Sequence, residues 1–347
     1  MPPWTASSAI DIDLDQPLSR RFGHVGPDLI GHAHRLLRAV IAEMPPAALR
    51  LARAIDARTG LRFHAESKAL AEVAGVDWRE VMLGNVSYDL ALASIACSTV
   101  ALPTPDGPVL ARNMDWWPEH LLARASCLIR CTRGEKPAFA LAGWPGSIGA
   151  VSALSANGFA VVLNAVLSGE KYSLAGYPVL LFLRRVLEEA RDFDAALKML
   201  RTRRLFTSGL FTLVGTRNEQ RVCVERTPTR AFLRWARDGE PLVTTNSYVG
   251  FDDQGRDRAD PPAEDRFCTE CTRAAALFQL SRRLKGGLGA DLRDGLLYAL
   301  SDPAVIQQIT AQHVLMQPAT NRVELYVPTH LLAEDYVSDG DRPRMLS

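Results

Sequence analysis

The sequence lacks the features that mark a membrane-spanning, secreted or nucleic-acid-binding protein. None of its 347 residues belongs to an apolar run approaching the roughly 18 needed to span a bilayer. The start, MPPWTASSAIDIDLDQPLSRRF, has no charged segment followed by an apolar one, as a secretory signal would. The formal net charge is only +1, so no overall field attracts nucleic acid or an anionic membrane. We therefore expect a cytoplasmic protein without a membrane span or nucleic-acid partner, and leave the formation of homo-oligomers open.

Several common catalytic motifs are also missing. No G-x-S-x-G is present, because the segment 145–149 reads PGSIG and lacks the first glycine. The sequence has neither a P-loop nor an H-E-x-x-H. Its seven histidines are scattered without a partner spacing, so a cysteine–histidine dyad is not indicated. These absences argue against a serine hydrolase of the α/β class, a P-loop nucleotide enzyme and a zinc peptidase.

Cysteine is too sparse for a disulfide scaffold, with six in a chain of this length. One pair, Cys268-x-x-Cys271, has the local spacing of half a zinc site, and Cys127 with Cys131 would have to supply the other half. The interval between the pairs is too long for a zinc ribbon, and no nearby histidine supports a metal. Free thiols are the favoured interpretation, and no metal is predicted. A non-catalytic thiol or metal-binding protein stays as the alternative from another class.

The first part of the chain is predicted to be mainly helical, over residues 24–96. Four segments have apolar residues at helical spacing, and Asp77 is placed to cap the last of them. They are 27–44, 47–59, 67–76 and 77–93. This helical arm ends in a small apolar segment just before Cys97.

The rest of the chain has a different character. Short apolar segments bounded by glycine or proline predict strands, with turns at 104–107 and at Asn157-Gly158. A helix pair over 177–203, further strands, a helix from about Phe267 and a last strand pair over 313–328 follow. The plan is α+β, with helices expected to pack outside mostly antiparallel sheets.

The clearest chemical signal is the segment Cys97-Ser98-Thr99-Val100, which follows Ala96 and precedes Arg112-Asn113-Met114-Asp115. If the bond between Ala96 and Cys97 is cut, Cys97 carries both a thiol and a free α-amine. Such an amine has an unperturbed pKa of about 7.7–8.0 and can act as a general base. The thiol is the nucleophile, and it needs an adjacent base or a lowered pKa. Arg112 and Asp115 are then available to hold the thiolate and the amine.

Further short motifs follow in a set order. They are Ala142–Gly149, Gly158–Asn164, Thr244-Thr245-Asn246 and Glu264-Asp265-Arg266. With Cys97-Ser98-Thr99 and Arg112–Asp115, they make the stretch from about Val81 to about Pro328 resemble the cysteine N-terminal nucleophile (Ntn) hydrolases of the choloylglycine hydrolase superfamily. The branch that it resembles contains acid ceramidase and N-acylethanolamine-hydrolysing acid amidase.

The resemblance implies a fold and a maturation step. The fold is a four-layer αββα sandwich with an N-terminal helical arm. Autocleavage between Ala96 and Cys97 would divide the chain into an N-terminal helical segment, 1–96, serving as pro-segment or small subunit, and a catalytic domain, 97–347. The family members of that branch are secreted or lysosomal, and this chain shows no signal peptide.

The resemblance also implies roles for six residues. Cys97 would be the nucleophile, and Arg112 would lie against its thiolate and lower the thiol pKa. Asp115 would orient the α-ammonium, and Asn246 would donate its amide to the oxyanion. The remaining two are Asn164, which would bind the α-amine or the substrate amide, and Arg266, which would brace the site through Asp115 or a neighbouring carboxylate.

The expected substrate is a small-molecule N-acyl amide, hydrolysed at a linear carbon–nitrogen bond through a Cys97 thioester. Trp116 and Trp117, together with Trp144, are candidates to wall an acyl pocket. The chemistry requires no metal or organic cofactor. An acyltransferase that uses the same site with an amine acceptor is the alternative within the family.

Overall fold

A computed structural model describes residues 3–45, 47–90, 95–170, 172–252, 272–334 and 336. Two sheets form its centre. The first has six strands, in the order β1 (Trp4–Ala6), β14 (Arg322–Pro328), β13 (Thr310–Gln317), β4 (Val109–Trp116), β3 (Ile95–Leu102), β12 (Leu242–Thr244). The second has eight, in the order β11 (Ala231–Trp235), β10 (Arg221–Arg226), β9 (Gly209–Val214), β8 (Phe159–Asn164), β7 (Ser152–Ser155), β6 (Lys136–Gly143), β5 (Cys127–Arg133), β2 (Ala9–Asp13).

The two sheets pack face to face because each carries apolar side chains at alternating positions. Ala101 and Leu110 of the six-stranded sheet meet Leu154 and Val162 of the eight-stranded sheet in one buried cluster. The opposite face of each sheet packs against helices. This is the four-layer αββα arrangement that the sequence resemblance predicts.

Helices cover both outer faces. The whole N-terminal segment 1–96, called the arm from here on, contributes α1 (Leu18–Arg21), α2 (Pro27–Ala42), α3 (Ala48–Arg58), α4 (His64–Ala74), α5 (Trp78–Gly84) and α6 (Ser87–Leu90). The later helices are α7 (Glu119–Ala125), α8 (Val179–Glu189), α9 (Phe193–Thr202), α10 (Thr272–Ser281) and α11 (Ala290–Leu300). The arm helices, α8 and α9 share a core with the eight-stranded sheet, while α10 and α11 pack on the six-stranded sheet.

Most of the predicted elements are present, with one division. Asp77 caps α5 as expected, its carboxylate accepting the Arg79 backbone N–H. The fourth predicted helix is two helices, α5 and α6. Between them, the Asn85 side chain accepts the Ile148 and Gly149 backbone N–H groups and donates to Gly146 O. Hydrogen bonds to a distant loop therefore accompany the interruption of a helix that periodicity alone would continue.

The arm also contains two strands that the helical prediction did not include. β1 pairs antiparallel with β14, and β2 pairs parallel with β5. The arm thus supplies one edge strand to each sheet. The alternation of isoleucine and aspartate in Ala9–Asp13 is the period-two signal of a half-buried strand.

The described residues hold no helix that is long and apolar enough to cross a membrane. They also contain no cluster of three or more His, Cys, Asp or Glu side chains that could hold a metal ion. Cys127 and Cys131 lie buried in β5, where burial raises the pKa of each thiol to about 12. The proposed partner pair, Cys268 and Cys271, lies outside the described residues.

We expect the arm to stay bound after a cut between Ala96 and Cys97, because its release would break strand pairing in both sheets and expose shared apolar core. Size-exclusion chromatography of the cut protein should give one peak. Denaturing electrophoresis of that peak should then show fragments of 96 and 251 residues, which together make the 347 of the chain. The uncut Cys97→Ala variant is the control and should elute at the same volume. A C-terminal fragment eluting without the arm would contradict the prediction.

Candidate active site

Cys97 lies inside an unbroken strand. In β3, Ala96 is paired with Asp115 and Cys97 with Met114 of β4. The peptide bond between Ala96 and Cys97 therefore belongs to a central hairpin of the six-stranded sheet. The Cys97 side chain is buried and 1% exposed. Because alternate residues of a strand point to opposite faces, Cys97 and Arg112 both point toward the eight-stranded sheet.

The Arg112 guanidinium is the closest charged group to the thiol. Its Nη2 lies 2.6 Å from Cys97 Sγ. Its Nη1 donates to Leu163 O at 3.0 Å and to Ser152 Oγ at 3.1 Å, and its Nε donates to Asn113 O at 3.2 Å. A fully buried cation needs such partners, since an unpaired charge is expensive to desolvate. These bonds hold the guanidinium against the sulfur.

Burial is the largest influence on the Cys97 thiol, and it raises the thiol pKa. Arg112 opposes this and lowers the pKa, whereas the Asp115 carboxylate raises it. The backbone N–H groups of Asp115 and Ala165 also lower it. In the uncut chain, Arg112 therefore acts in the expected direction, but burial outweighs it.

Asp115 is buried with one carboxylate oxygen satisfied. Oδ1 accepts the Thr310 hydroxyl at 2.7 Å. Oδ2 has no hydrogen-bond partner among the described residues, and the nearest cation is Arg273 Nη1 at 3.7 Å. Burial raises the pKa of Asp115, and the Thr310 hydrogen bond and Arg273 oppose that rise. Asp115 Oδ2 is thus a carboxylate oxygen without a hydrogen bond among the described residues, and Asp115 is paired with Ala96 across the hairpin.

Asn246 contacts the backbone of the nucleophile residue. Its Oδ1 accepts the Cys97 N–H at 3.0 Å, and its Nδ2 donates to Ala165 O at 2.8 Å. The side chain therefore lies beside Cys97, as the sequence predicts for an oxyanion donor. In the uncut chain, its amide nitrogen is directed at the Ala165 carbonyl.

Asn164 links three strands. Its Oδ1 accepts the Thr99 hydroxyl at 2.7 Å, and its Nδ2 donates to Thr244 O and Thr245 O, each at 3.0 Å. These contacts join β3, β8 and β12 at the level of the nucleophile. In the uncut chain, the Asn164 amide joins the strands, and the peptide N–H of Cys97 donates to Asn246 instead.

Arg266 lies outside the described residues. The structure places another arginine, Arg273, at the site, and none of the sequence motifs includes it. Arg273 of α10 donates through Nη2 to Asn246 Oδ1 at 2.8 Å, and through Nη1 to Cys97 O and Ser98 Oγ, each at 3.2 Å. A signal was available, because Arg273 stands seven positions after Arg266. Seven positions are close to two turns of the helix that the sequence predicts from about Phe267.

A buried ion pair brackets the loop that carries Asn246. Glu225 Oε2 accepts the Val249 and Gly250 backbone N–H groups, each at 2.9 Å. Arg234, whose Nε lies 3.3 Å from Glu225 Oε1, donates through Nη2 to Val243 O at 3.0 Å. The chain is therefore held on both sides of Asn246.

The three tryptophans line one apolar cavity. Trp116 and Trp144 meet edge to face, with ring centroids 6.1 Å apart. Trp117 lines the same cavity, together with apolar side chains of the arm helices and of β2, β5 and β6. Trp116 is the next inward-facing residue of β4 after Met114, which pairs with Cys97. Trp116 therefore brings the cavity lining to within two residues of the strand position paired with Cys97.

The chain is similar to known proteins in both sequence and structure. The family model described as acyl-coenzyme A:6-aminopenicillanic acid acyl-transferase matches residues 102–270. N-acylethanolamine-hydrolyzing acid amidase of Caenorhabditis elegans is 23% identical over 235 residues, which cover 62% of this chain and 66% of that relative, just under two thirds of its length.

Two solved structures are similar to the chain. The Caenorhabditis elegans ortholog of N-acylethanolamine-hydrolyzing acid amidase has a TM-score of 0.51 at 18% identity, over 64% of this chain and 93% of that one. Penicillin V acylase from Agrobacterium tumefaciens has a TM-score of 0.37 at 11% identity, over 66% of this chain and 82% of that one.

The αββα fold is that of the N-terminal nucleophile hydrolases, and a buried cysteine and a buried arginine lie in contact on its central strands. In sequence, the chain is similar to that acyl-transferase family over residues 102–270 and to the acid amidase over 235 residues. These similarities confirm the resemblance inferred from the motifs.

We expect Arg273→Met to slow the chemistry at Cys97 by about 10²-fold, because the site loses a fixed donor to Asn246 and to the Cys97 carbonyl. Intact-mass analysis over time measures the cut at Ala96–Cys97. Arg283→Met, an exposed arginine just beyond α10, is the matched control and should behave as the unaltered protein. Equal rates for the two variants would show that Arg273 has no role in the reaction.

Proposed function

We propose that the chain hydrolyses a linear N-acyl amide through a thioester on Cys97, after it has cut its own Ala96–Cys97 bond. The observation that carries this proposal is the 2.6 Å contact between Arg112 Nη2 and Cys97 Sγ, at a cysteine whose backbone N–H binds Asn246. A nucleophile, a cation beside it and an amide at its nitrogen meet at one peptide bond. Cys97 and Ala96 form the cleavage site in this proposal.

The self-cleavage starts with the Cys97 sulfur. The sulfur attacks the Ala96 carbonyl carbon, the carbon–nitrogen bond breaks, and the Cys97 nitrogen takes the thiol proton, leaving the Ala96 acyl group on sulfur. Water then adds to this thioester, which releases an Ala96 carboxyl group and restores the thiol. The new α-amine of Cys97 is the general base for later turnovers.

Turnover repeats the same chemistry on a substrate. The sulfur attacks the amide carbonyl, the amine departs with the proton held by the Cys97 α-amine, and water deacylates the thioester. Asp115 Oδ2, buried and without a hydrogen-bond partner among the described residues, is the acceptor that we assign to the α-ammonium. Asn246 and Asn164 are assigned to the oxyanion and to the amine, and Arg266 together with Arg273 to bracing the site.

The apolar cavity supports an acyl group as the buried part of the substrate. Ligand pockets are typically apolar with a few placed polar groups, and Trp116, Trp117 and Trp144 line this one. The relative from Caenorhabditis elegans is named for N-acylethanolamines. For this chain we propose the wider class of N-acyl amides, with residues 1–96 as a retained small subunit and 97–347 as the catalytic domain. The chemistry needs no cofactor.

Acyl transfer is the second candidate, because the matching family model is described as an acyl-transferase. The same thioester would then be attacked by an amine in place of water. Adding primary amines during turnover decides between the two. New amides formed in place of free acid would show transfer, and free acid alone would show hydrolysis.

We expect Cys97→Ala to leave one folded chain that neither cuts itself nor hydrolyses N-acyl amides, because the only proposed nucleophile is gone. Intact-mass analysis, and release of free acid from a panel of N-acyl amides, provide the measurements. Cys127→Ala, which alters another buried cysteine in a strand, is the control and should retain both activities. Amide hydrolysis by Cys97→Ala at the unaltered rate would rule out the proposal.

Asn246→Ala should lower kcat by about 10²–10³-fold with a smaller change in KM, as expected when a donor that acts in the transition state is lost. Steady-state kinetics on one N-acyl amide measure both constants. Asn218→Ala, which removes an amide that bonds to Thr104 and not to the site, serves as the control. A rise in KM alone would move Asn246 from oxyanion stabiliser to substrate contact.

A further inference from the structure

The apolar cavity has a charged pair in its lining. Most of the side chains that line it are apolar, and they come from α2, α4 and α5 on one side and from β2, β5 and β6 on the other. Glu66 of α4 and Arg184 of α8 line the same space. We call these two residues the distal pair. Neither is needed for the chemistry proposed at Cys97.

Strand β6 shows how far the distal pair lies from the tryptophan wall. The Arg184 guanidinium sits over the Phe139 ring, 4.9 Å from its centroid. Trp144 follows β6 and is five residues after Phe139, which corresponds to about 16 Å of extended chain. Cys131, paired with Phe139 on the neighbouring strand, also lines the cavity. The cavity thus extends along β6 from Trp144 to the level of Arg184.

The distal pair is loosely joined. Arg184 Nη2 and Glu66 Oε2 are 3.5 Å apart, whereas Arg184 Nε binds Glu188 Oε1 at 2.7 Å and Nη1 donates to Ile148 O at 3.1 Å. The Arg184 side chain is 3% exposed and the Glu66 side chain 13% exposed. A guanidinium nitrogen and a carboxylate oxygen therefore lie side by side in the cavity lining, farther apart than in a strong hydrogen bond.

The distal pair is not needed to hold the arm against α8. Arg62 of the arm already binds Glu188 at 2.7 Å and Glu189 at 2.6 Å outside the cavity. Buried ion pairs are often replaceable by apolar residues without loss of stability, because desolvation offsets their attraction. A charged pair in the lining of an apolar cavity instead restricts which ligand groups can be buried beside it.

Resting on the function proposed above, we propose that the distal pair selects acyl groups that end in a neutral hydrogen-bonding group, such as an ω-hydroxyl, over plain alkyl chains of the same length. A hydroxyl can accept from Arg184 Nη2 and donate to Glu66 Oε2 at once. A carboxylate at that end would face Glu66, and an ammonium would face Arg184. A methyl end would leave both charges desolvated without a new partner.

The test compares amides of one amine with two matched acyl series, unbranched chains from hexanoyl to hexadecanoyl and the same chains with an ω-hydroxyl. We expect kcat/KM to favour the ω-hydroxy member by about tenfold at the lengths that reach the distal pair, and to show no such preference for the shortest chains. Equal rates at every length, or a preference for the plain chain, would overturn the inference. Absence of hydrolysis across both series would instead refute the proposed function.

A double variant of the distal pair tests whether Glu66 and Arg184 cause the ω-hydroxy preference. Glu66→Leu with Arg184→Met makes the distal end apolar and leaves Glu188 paired with Arg62. This double variant should lose the ω-hydroxy preference and favour plain chains. Arg62→Gln, from the same ion network but outside the cavity, is the matched control and should retain the wild-type ratio. An unchanged ratio in a double variant with cooperative thermal unfolding would overturn the inference. If it fails to fold, the wild-type chain series still decides.

Discussion

The position of the nucleophile depends on one buried charge. Arg112 lies between the two sheets, where a guanidinium is tolerated only if its donors are satisfied. Carbonyls of Asn113 and Leu163, the Ser152 hydroxyl and the Cys97 sulfur surround it. Because these partners come from both sheets, the arginine ties them together at the level of Cys97. The guanidinium that stabilises the sulfur electrostatically is therefore also part of the packing between the two sheets.

The other buried polar side chains near Cys97 and Arg112 also have both a structural and a positioning role. Asn164 joins three strands, and Glu225 with Arg234 brackets the loop of Asn246. Each is buried, and each directs its hydrogen bonds at backbone or hydroxyl groups next to the site. Satisfied buried networks of this kind rigidify their surroundings. The site is thus already assembled around an uncut peptide bond, and the arm on the other side of that bond is anchored in both sheets.

Local sequence patterns determined many of the helices and hairpins of this protein. Turn residues such as Asn157-Gly158 and the apolar segments around them specify hairpins that the structure contains, because turn chemistry and side-chain alternation act over a few residues. Helical periodicity in the arm and the cap at Asp77 were equally local and are present. The order of motifs from Cys97 to Arg266 carried the resemblance that predicted the αββα fold.

Only the tertiary structure decided how distant segments meet. The contact of Arg112 with Cys97 follows from hairpin register, but the approach of Asn246 and Arg273 depends on how β12 and α10 pack against β3. The strand at Ala9–Asp13 forms because β5 offers it an edge, although its alternation was visible in the sequence. Such contacts join residues far apart along the chain. No local pattern encodes them, because they are selected by burial and hydrogen bonding of the whole fold.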